Sequence, residues 1–272
     1  MSTGKTPVVF IHGLWLHSAS WDPWLELFTA AGYAPIAPGW PGDHDTVAGT
    51  RENPEWVANY GIDDVTTHYR NIIENLPERP ILVGHSFGGM IAEKLLGENY
   101  GAAAIAIDAA QIKGVLPVPL SALHATLPVF KNPANIHKAV TLTPEEFRYS
   151  FGNALTEEES DALYNQWTIA APGRPLFEAA VANFSLHSPD KVDTDNEKRG
   201  PLLLVMGGQD HTVPEAITKS TLKQYKHSSA VTELIEFADR GHSLTIDSGW
   251  REVADACLLW LEKQGLHPSP TT

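Results

Sequence analysis

Six short apolar runs, at residues 8–11, 33–37, 81–83, 103–107, 202–206 and 231–237, do most to narrow the folds open to this chain. They are bounded by Gly and Pro, and most lack the polar alternation of a strand with one wet face. That is the pattern of strands covered on both sides. Such strands need helices on both faces of their sheet, and helical patterns do separate the runs. Ile62, Val65, Tyr69, Ile72, Ile73 and Leu76 share one helical face, and residues 250–264 repeat the pattern. The chain therefore reads as α/β, with a mostly parallel sheet flanked by helices.

The alternation breaks at residues 111–199, which are rich in proline and aromatics. Two helix starts stand out there: Thr143-Pro144-Glu145-Glu146 and Thr156-Glu157-Glu158-Glu159, each with Thr as N-cap and Glu three residues on. The polar stretch 188–200 returns the chain to the sheet over the surface. Residues 1–110 and 200–267 thus form one core, 111–199 a helical insertion, and 268–272 a flexible tail too poor in apolar side chains to pack.

Composition removes several classes of function. A net charge of −14 without a Lys/Arg cluster repels a phosphate backbone, so nucleic acid is not an expected partner. The single cysteine, Cys257, excludes an internal disulfide and falls in an apolar helical pattern with Val253, Trp260 and Leu261, as a buried small hydrophobe does. The N-terminal segment reaches its first strand within seven residues, leaving no room for a secretory signal. No run approaches the length of a membrane span. A cytoplasmic protein with a small-molecule substrate is the expectation, and a homodimer stays open.

Chemistry is expected at the ends of the strands. Gly84-His85-Ser86-Phe87-Gly88 follows one apolar run and precedes a helical segment, 90–96, across a glycine-flanked turn. Serine is a poor nucleophile unless a histidine base and an orienting carboxylate assist it. The run ending at 206 is followed by Gly207-Gly208-Gln209-Asp210-His211-Thr212-Val213-Pro214, and the run ending at 237 by Ala238-Asp239-Arg240-Gly241-His242-Ser243. In an open parallel sheet these loops meet at one edge, giving the chain order Ser86, Asp210, His242. Asp108, at the end of the fourth run, is the other candidate acid. No HExxH, paired-cysteine, GxGxxG or Walker motif is present, so no metal or other cofactor is expected.

In these motifs, taken in this order, the chain resembles the α/β-hydrolase superfamily, in its serine-nucleophile, esterase- or lipase-like branch, over residues 7–264. The resemblance implies Ser86 as nucleophile, His242 as general base and then acid, and Asp210, in the usual acid loop, as the group fixing its tautomer. It also matches His12-Gly13-Leu14-Trp15 to the segment that supplies an oxyanion-hole donor, so the backbone N–H groups of Leu14 and Phe87 are the expected hole. Larger relatives begin with two antiparallel strands for which this chain has no room, so a six-stranded sheet is expected. The insertion after the fourth strand takes the place of the family's helical cap. The loop at 38–44 departs from the Asp-x-x-G-x-G pattern of many relatives, and its Trp40 could face the site.

Substrate-pocket candidates are Trp15, His17, Trp40, Phe147, Phe151 and Trp167, with Leu116, Val118, Leu123, Phe130 and Phe177 as further apolar lining. His12 and His85 are expected to be structural. The implied activity is hydrolysis of a small or medium carboxylic ester or lactone through an acyl-enzyme. Epoxide hydrolases and dehalogenases carry Asp where Ser86 stands and are disfavoured. The segment from His12 to His17 is loosely similar to the plant methylesterase and hydroxynitrile-lyase group. Carbon–carbon hydrolase, hydroxynitrile lyase or perhydrolase chemistry on the same residues therefore stays open, as does a ligand receptor with slow hydrolysis.

Overall fold

The computed structural model describes residues 5–116 and 119–268. In chain order the elements are β1 (Pro7–Ile11), α1 (Asp22–Ala30), β2 (Ala34–Ile36), α2 (Val47–Glu52), α3 (Ile62–Glu74), β3 (Ile81–His85), α4 (Phe87–Gly97) and β4 (Ala103–Ile107). There follow α5 (Leu120–Phe130), β5 (Ala139–Val140), α6 (Pro144–Ser150), α7 (Glu157–Trp167), β6 (Ala171–Pro172) and α8 (Arg174–Val181). The chain closes with β7 (Leu202–Gly207), α9 (Glu215–Gln224), β8 (Thr232–Phe237) and α10 (Trp250–Lys263). Val118 and residues 269–272 lie outside the described part.

Six strands form one parallel sheet in the order β2-β1-β3-β4-β7-β8. Every residue of β1, β3, β4 and β7 is buried, as their unbroken apolar character requires. The two edges differ. β2 is short and largely exposed, and β8 carries exposed Glu233 and Glu236, charges that keep an edge from pairing with another chain. Successive residues of a central strand enter opposite cores. Val9, Ile11 and Leu82 join α3, α4 and α9 through Val65, Tyr69, Met90 and Ile217. Val8, Phe10, Ile81 and Val83 join α1 and α10 through Trp24, Phe28, Cys257 and Trp260. Phe10 sits 5.0 Å from Trp21 and 5.1 Å from Phe28, ring to ring. Cys257 is a free, buried thiol.

Helix boundaries follow their caps. The Thr143 box is complete: its hydroxyl accepts from the Glu146 N–H, and the Glu146 carboxylate accepts from the Thr143 N–H at 2.8 Å. The second box forms by half. Thr156 accepts from the Glu159 N–H at 3.2 Å, but the Glu159 carboxylate reaches instead to the Ser248 N–H at 2.7 Å. Helix α4 starts at Phe87, ahead of the expected 90–96, because Gly88 and Gly89 are helical yet leave no mark on the apolar period.

The residues between β4 and β7 hold α5–α8 and the two-stranded pair β5–β6, which no apolar pattern announced. Several bonds tie them to the rest of the chain. Glu178 accepts from the Ile62 N–H at the start of α3, Asn153 donates to the Gln209 carbonyl, and the Trp15 indole donates to the Val140 carbonyl. Among the described residues no helix is long and apolar enough to cross a membrane.

Candidate active site

Between β1 and β3 the sheet reverses its winding, so the loops leaving these strands part and open a crevice. Ser86 stands there, between β3 and α4, at φ 56° and ψ −123°. A non-glycine residue with positive φ costs on the order of 1–3 kcal/mol and persists only where its surroundings enforce it. They do so here: the Ser86 N–H donates to the Ile107 carbonyl, and the Ala110 N–H donates to the Ser86 carbonyl, both at 2.9 Å. The flanking glycines permit the close approach. A Cβ at Gly84 would lie 2.0 Å from the Gly88 carbonyl oxygen, and one at Gly88 would lie 2.1 Å from that of Ile11.

His242 and Asp210 meet as the loop order anticipates. His242 Nδ1 donates to Asp210 Oδ2 at 2.6 Å, while Asp210 Oδ1 accepts from the Thr212 and Val213 N–H groups at 2.6 and 2.8 Å. The imidazole is fully buried and its Nε2 has no hydrogen-bond partner among the described residues. Ser86 Oγ does not fill that role, because it is turned towards the β1 loop, 3.3 Å from where a Gly13 Cβ would stand. Nucleophile–base bonds often form only with substrate in place. The loop carrying His242 is clamped by Asp247, which pairs with Arg240 and accepts from the Ser243 hydroxyl.

His85, next to the serine, donates from Nε2 to the His242 carbonyl at 2.9 Å, and the two rings stand 4.6 Å apart. Burial, and then the proximity of His242, holds its pKa well below the usual imidazole range. It is therefore a neutral brace, as expected. Asp108 also reaches the site: its Oδ2 lies 4.0 Å from His242 Nδ1. His85, Asp108 and His242 are close enough to raise the question of a metal ion. Yet His242 Nδ1 is committed to Asp210 and His85 Nε2 to a carbonyl, an arrangement that suits proton chemistry better.

The β1 loop is held from behind. His12 donates from Nδ1 to the Gly13 carbonyl and meets Asp43 with Nε2 at 3.0 Å, while the Trp40 indole donates to the His12 carbonyl at 2.9 Å. The Leu14 and Phe87 N–H groups have no backbone acceptor among the described residues.

A cavity of about 380 Å³ opens from Ser86 and Phe87. Leu116, Leu123 and Phe130 line it, as expected, together with Ala122, Leu176 and Phe184, which sequence reasoning missed. Gln111, Thr126, Asn183 and Thr212 supply its polar points, and no charged side chain lines it among the described residues. Phe184 is 93% exposed, an exposure that no local pattern signals. The six candidates first named for the pocket do not line this cavity, and Trp15 and Trp40 border a small cleft with Gly13 and Leu14. His17 is buried, accepting from the Ala19 N–H and donating to the His44 carbonyl, and Trp40 bolts the β1 loop. Phe147 and Phe151 stack at 4.8 Å, with Phe151 packing on His242 at 4.9 Å and edge-on to Trp15. The Trp167 carbonyl accepts from the His17 N–H, and Phe177 packs edge-on against Phe130.

Comparison with known proteins gives a consistent result. The sequence profile described as "Alpha/beta hydrolase family" matches residues 8–256. A provisionally named carboxymethylenebutenolidase of Escherichia coli (strain K12) is 27% identical over 118 residues, which span 36% of this chain and 42% of that protein. The fold is shared with a monoacylglycerol lipase of Paleococcus ferrophilus, at 20% identity, a TM-score of 0.65 and 96% coverage of both chains. It is shared equally with a methylesterase from Arabidopsis, at 18% identity and a TM-score of 0.66, covering 94% of this chain and 99% of that one.

Proposed function

The chain belongs to the alpha/beta hydrolase family, and from that premise we propose that it is a serine hydrolase cleaving a small or medium carboxylic ester or lactone. Ser86 Oγ attacks the carbonyl carbon as its proton passes to His242 Nε2. The oxyanion so formed is held by the Leu14 and Phe87 N–H groups. His242 then gives its proton to the departing alcohol oxygen as the C–O bond breaks, leaving an acyl group on Ser86. Water, deprotonated by the same nitrogen, adds to the acyl carbon, and His242 returns that proton to Ser86 Oγ as the acyl–Oγ bond breaks and the acid leaves. Asp210 keeps the proton of neutral His242 on Nδ1 and stabilises the imidazolium that forms in each half-reaction.

One observation carries this reading: an imidazole fixed at Nδ1 by Asp210, with Nε2 unpartnered among the described residues, beside a serine in a strained turn. The uncharged, mostly apolar cavity supports a neutral substrate, since an ionised group would lose its hydration there without a partner. The residues 111–199 act in this reading as a cap that walls the site and supplies substrate contacts. The esterase and lipase names of the fold relatives are consistent with ester chemistry.

The test joins covalent labelling to turnover. A fluorophosphonate should add once to the wild-type protein, by intact mass, and not to Ser86→Ala. The variant should lose p-nitrophenyl ester turnover by about 10³-fold or more while melting like the wild type. Labelling or turnover that survives in Ser86→Ala would overturn the assignment.

A further inference from the structure

Of the four polar side chains in the wall of the 380 Å³ cavity, three are already committed within the protein. The Thr126 hydroxyl donates to the Leu123 carbonyl at 2.9 Å and the Thr212 hydroxyl to the Ser150 carbonyl at 2.7 Å, so each has used its one hydrogen. The exposed Asn183 amide is tied at both ends, accepting from the Gly114 N–H at 2.7 Å and donating to the Val115 carbonyl at 3.1 Å. Gln111 differs. Its side chain makes no hydrogen bond among the described residues, so its amide alone is wholly open to a ligand.

The backbone fixes that amide from both sides. Ala110, just before it, is buried and donates from its N–H to the Ser86 carbonyl at 2.9 Å. Ile112, just after it, is buried in the core that holds α4, and the Lys113 N–H donates to the Asp190 carbonyl at 3.2 Å. Gln111 itself is half-buried, one residue beyond the backbone bonded to Ser86. An amide so placed discriminates between acyl chains. A hydrocarbon chain that fills the cavity strips water from it and leaves it unpaired, whereas a chain carrying an acceptor oxygen keeps its N–H bonded. Such a donor rejects the analogue lacking the acceptor more strongly than an apolar wall rejects an extra methylene. With no charged side chain in the wall among the described residues, the matching oxygen is a neutral one.

We propose that Gln111 is the specificity-determining residue of this site, donating from Nε2 to a ketone or hydroxyl oxygen on the acyl chain. The substrate class is then oxygenated acyl esters, ahead of plain hydrocarbon ones. The proposal rests on the serine-hydrolase reading above, with the acyl group in this cavity.

The experiment pairs methyl 3-oxobutanoate, 4-oxopentanoate and 5-oxohexanoate with the esters in which a methyl group replaces the keto oxygen: methyl 3-methylbutanoate, 4-methylpentanoate and 5-methylhexanoate. Acid release is titrated at constant pH for wild type, Gln111→Met, Gln111→Leu and Ser86→Ala, with a melting curve for each. Wild type should favour the oxo ester over its partner by about tenfold or more in kcat/KM, with the preference peaking at one position of the oxygen. Gln111→Met keeps the length of the side chain and loses the amide, so it should lower that ratio about tenfold, and Gln111→Leu repeats the test with a second shape. Activation of the ester by a nearby ketone is the same in every protein and cancels in the comparison. A merely structural Gln111 would alter both esters of a pair alike. An oxo-to-methyl ratio unchanged in both variants, or no oxo preference in wild type, would overturn the proposal while an inactive Ser86→Ala leaves the hydrolase reading standing. Ester turnover that survives in Ser86→Ala would instead remove the reading beneath it.

Discussion

Replacing Glu93 by Gln should remove a pH-dependent loss from this protein's stability, so that wild type and variant exchange rank between pH 5 and pH 9. Glu93 lies on α4, the helix that carries Ser86 at its head, and is 1% exposed. Its Oε2 accepts from the Tyr225 hydroxyl at 2.7 Å, and its Oε1 has no partner among the described residues. Arg199, the nearby cation, directs its two terminal nitrogens to Gly200, Ala230, Val231 and Thr232 and lies over the Tyr225 ring. Burial therefore outweighs Tyr225 and Arg199 and raises the Glu93 pKa from 4.5 to about 8. A group with a raised folded pKa contributes stability that is whole below its unfolded pKa and is lost as pH climbs to the folded one. The window here is pH 4.5 to 8. At 1.36 kcal/mol per unit, the loss is under about 1 kcal/mol at pH 5, about 3 at pH 7 and nearly 5 at pH 9. Gln keeps the acceptor for Tyr225 but leaves an amide N–H unpaired, a pH-independent cost of about 1–3 kcal/mol. Urea unfolding of both proteins at pH 5, 7 and 9 should find the variant weaker at pH 5 and stronger at pH 9, a swing of about 3–5 kcal/mol. Stability curves that stay parallel across that range would refute the argument.

Two further outcomes follow from close contacts and from the cavity. Gly88→Ala sets a methyl 2.1 Å from the Ile11 carbonyl oxygen and 2.6 Å from that of His12, so α4 must back away from β1. It should cost about 3 kcal/mol or more and lower the melting temperature by roughly 6 °C or more, and a thermal scan matching wild type would sink the argument. Ala122→Phe places a ring in the 380 Å³ cavity. Octanoate turnover should fall tenfold or more while acetate turnover changes less than about threefold, and equal losses for both esters would show that this cavity does not hold the chain.

The four inner strands were legible because burial on both faces strips them of polar residues, and the structure moves their ends by no more than two residues. Edge strand β2 was overestimated, since Tyr33 and Ala37 are apolar without being paired. Ser86, Asp210 and His242 were legible for a topological reason: each lies just past the end of a strand, and parallel strands end on one side. What could not be read is which strands are neighbours. That β4 pairs with β7 brings Asp108 to the imidazole that Asp210 already holds, a contact absent from any local pattern. The pocket was the least legible part. Bulky aromatics in the insertion looked like lining, yet Phe147 and Phe151 stack on each other and Phe151 on His242, while small or exposed residues such as Ala122 and Phe184 form the wall.

The pairing of β4 with β7 also separates two histories within one chain. These central strands lie in register, Ile107 beside Val205, although roughly ninety residues run between them. The entropy of closing so long an excursion grows only with the logarithm of its length, and doubling it costs about 0.6 kcal/mol. The sheet is thus nearly indifferent to how much chain the excursion holds. Ser86, Asp210 and His242 all belong to the indifferent part, while Leu116, Leu123, Phe130 and Leu176 belong to the excursion. Changes confined to the part of that segment lining the cavity leave the contacts of Phe151 with His242 and of Asn153 with Gln209 in place, so what the cavity admits can drift apart from the geometry around Ser86 and His242.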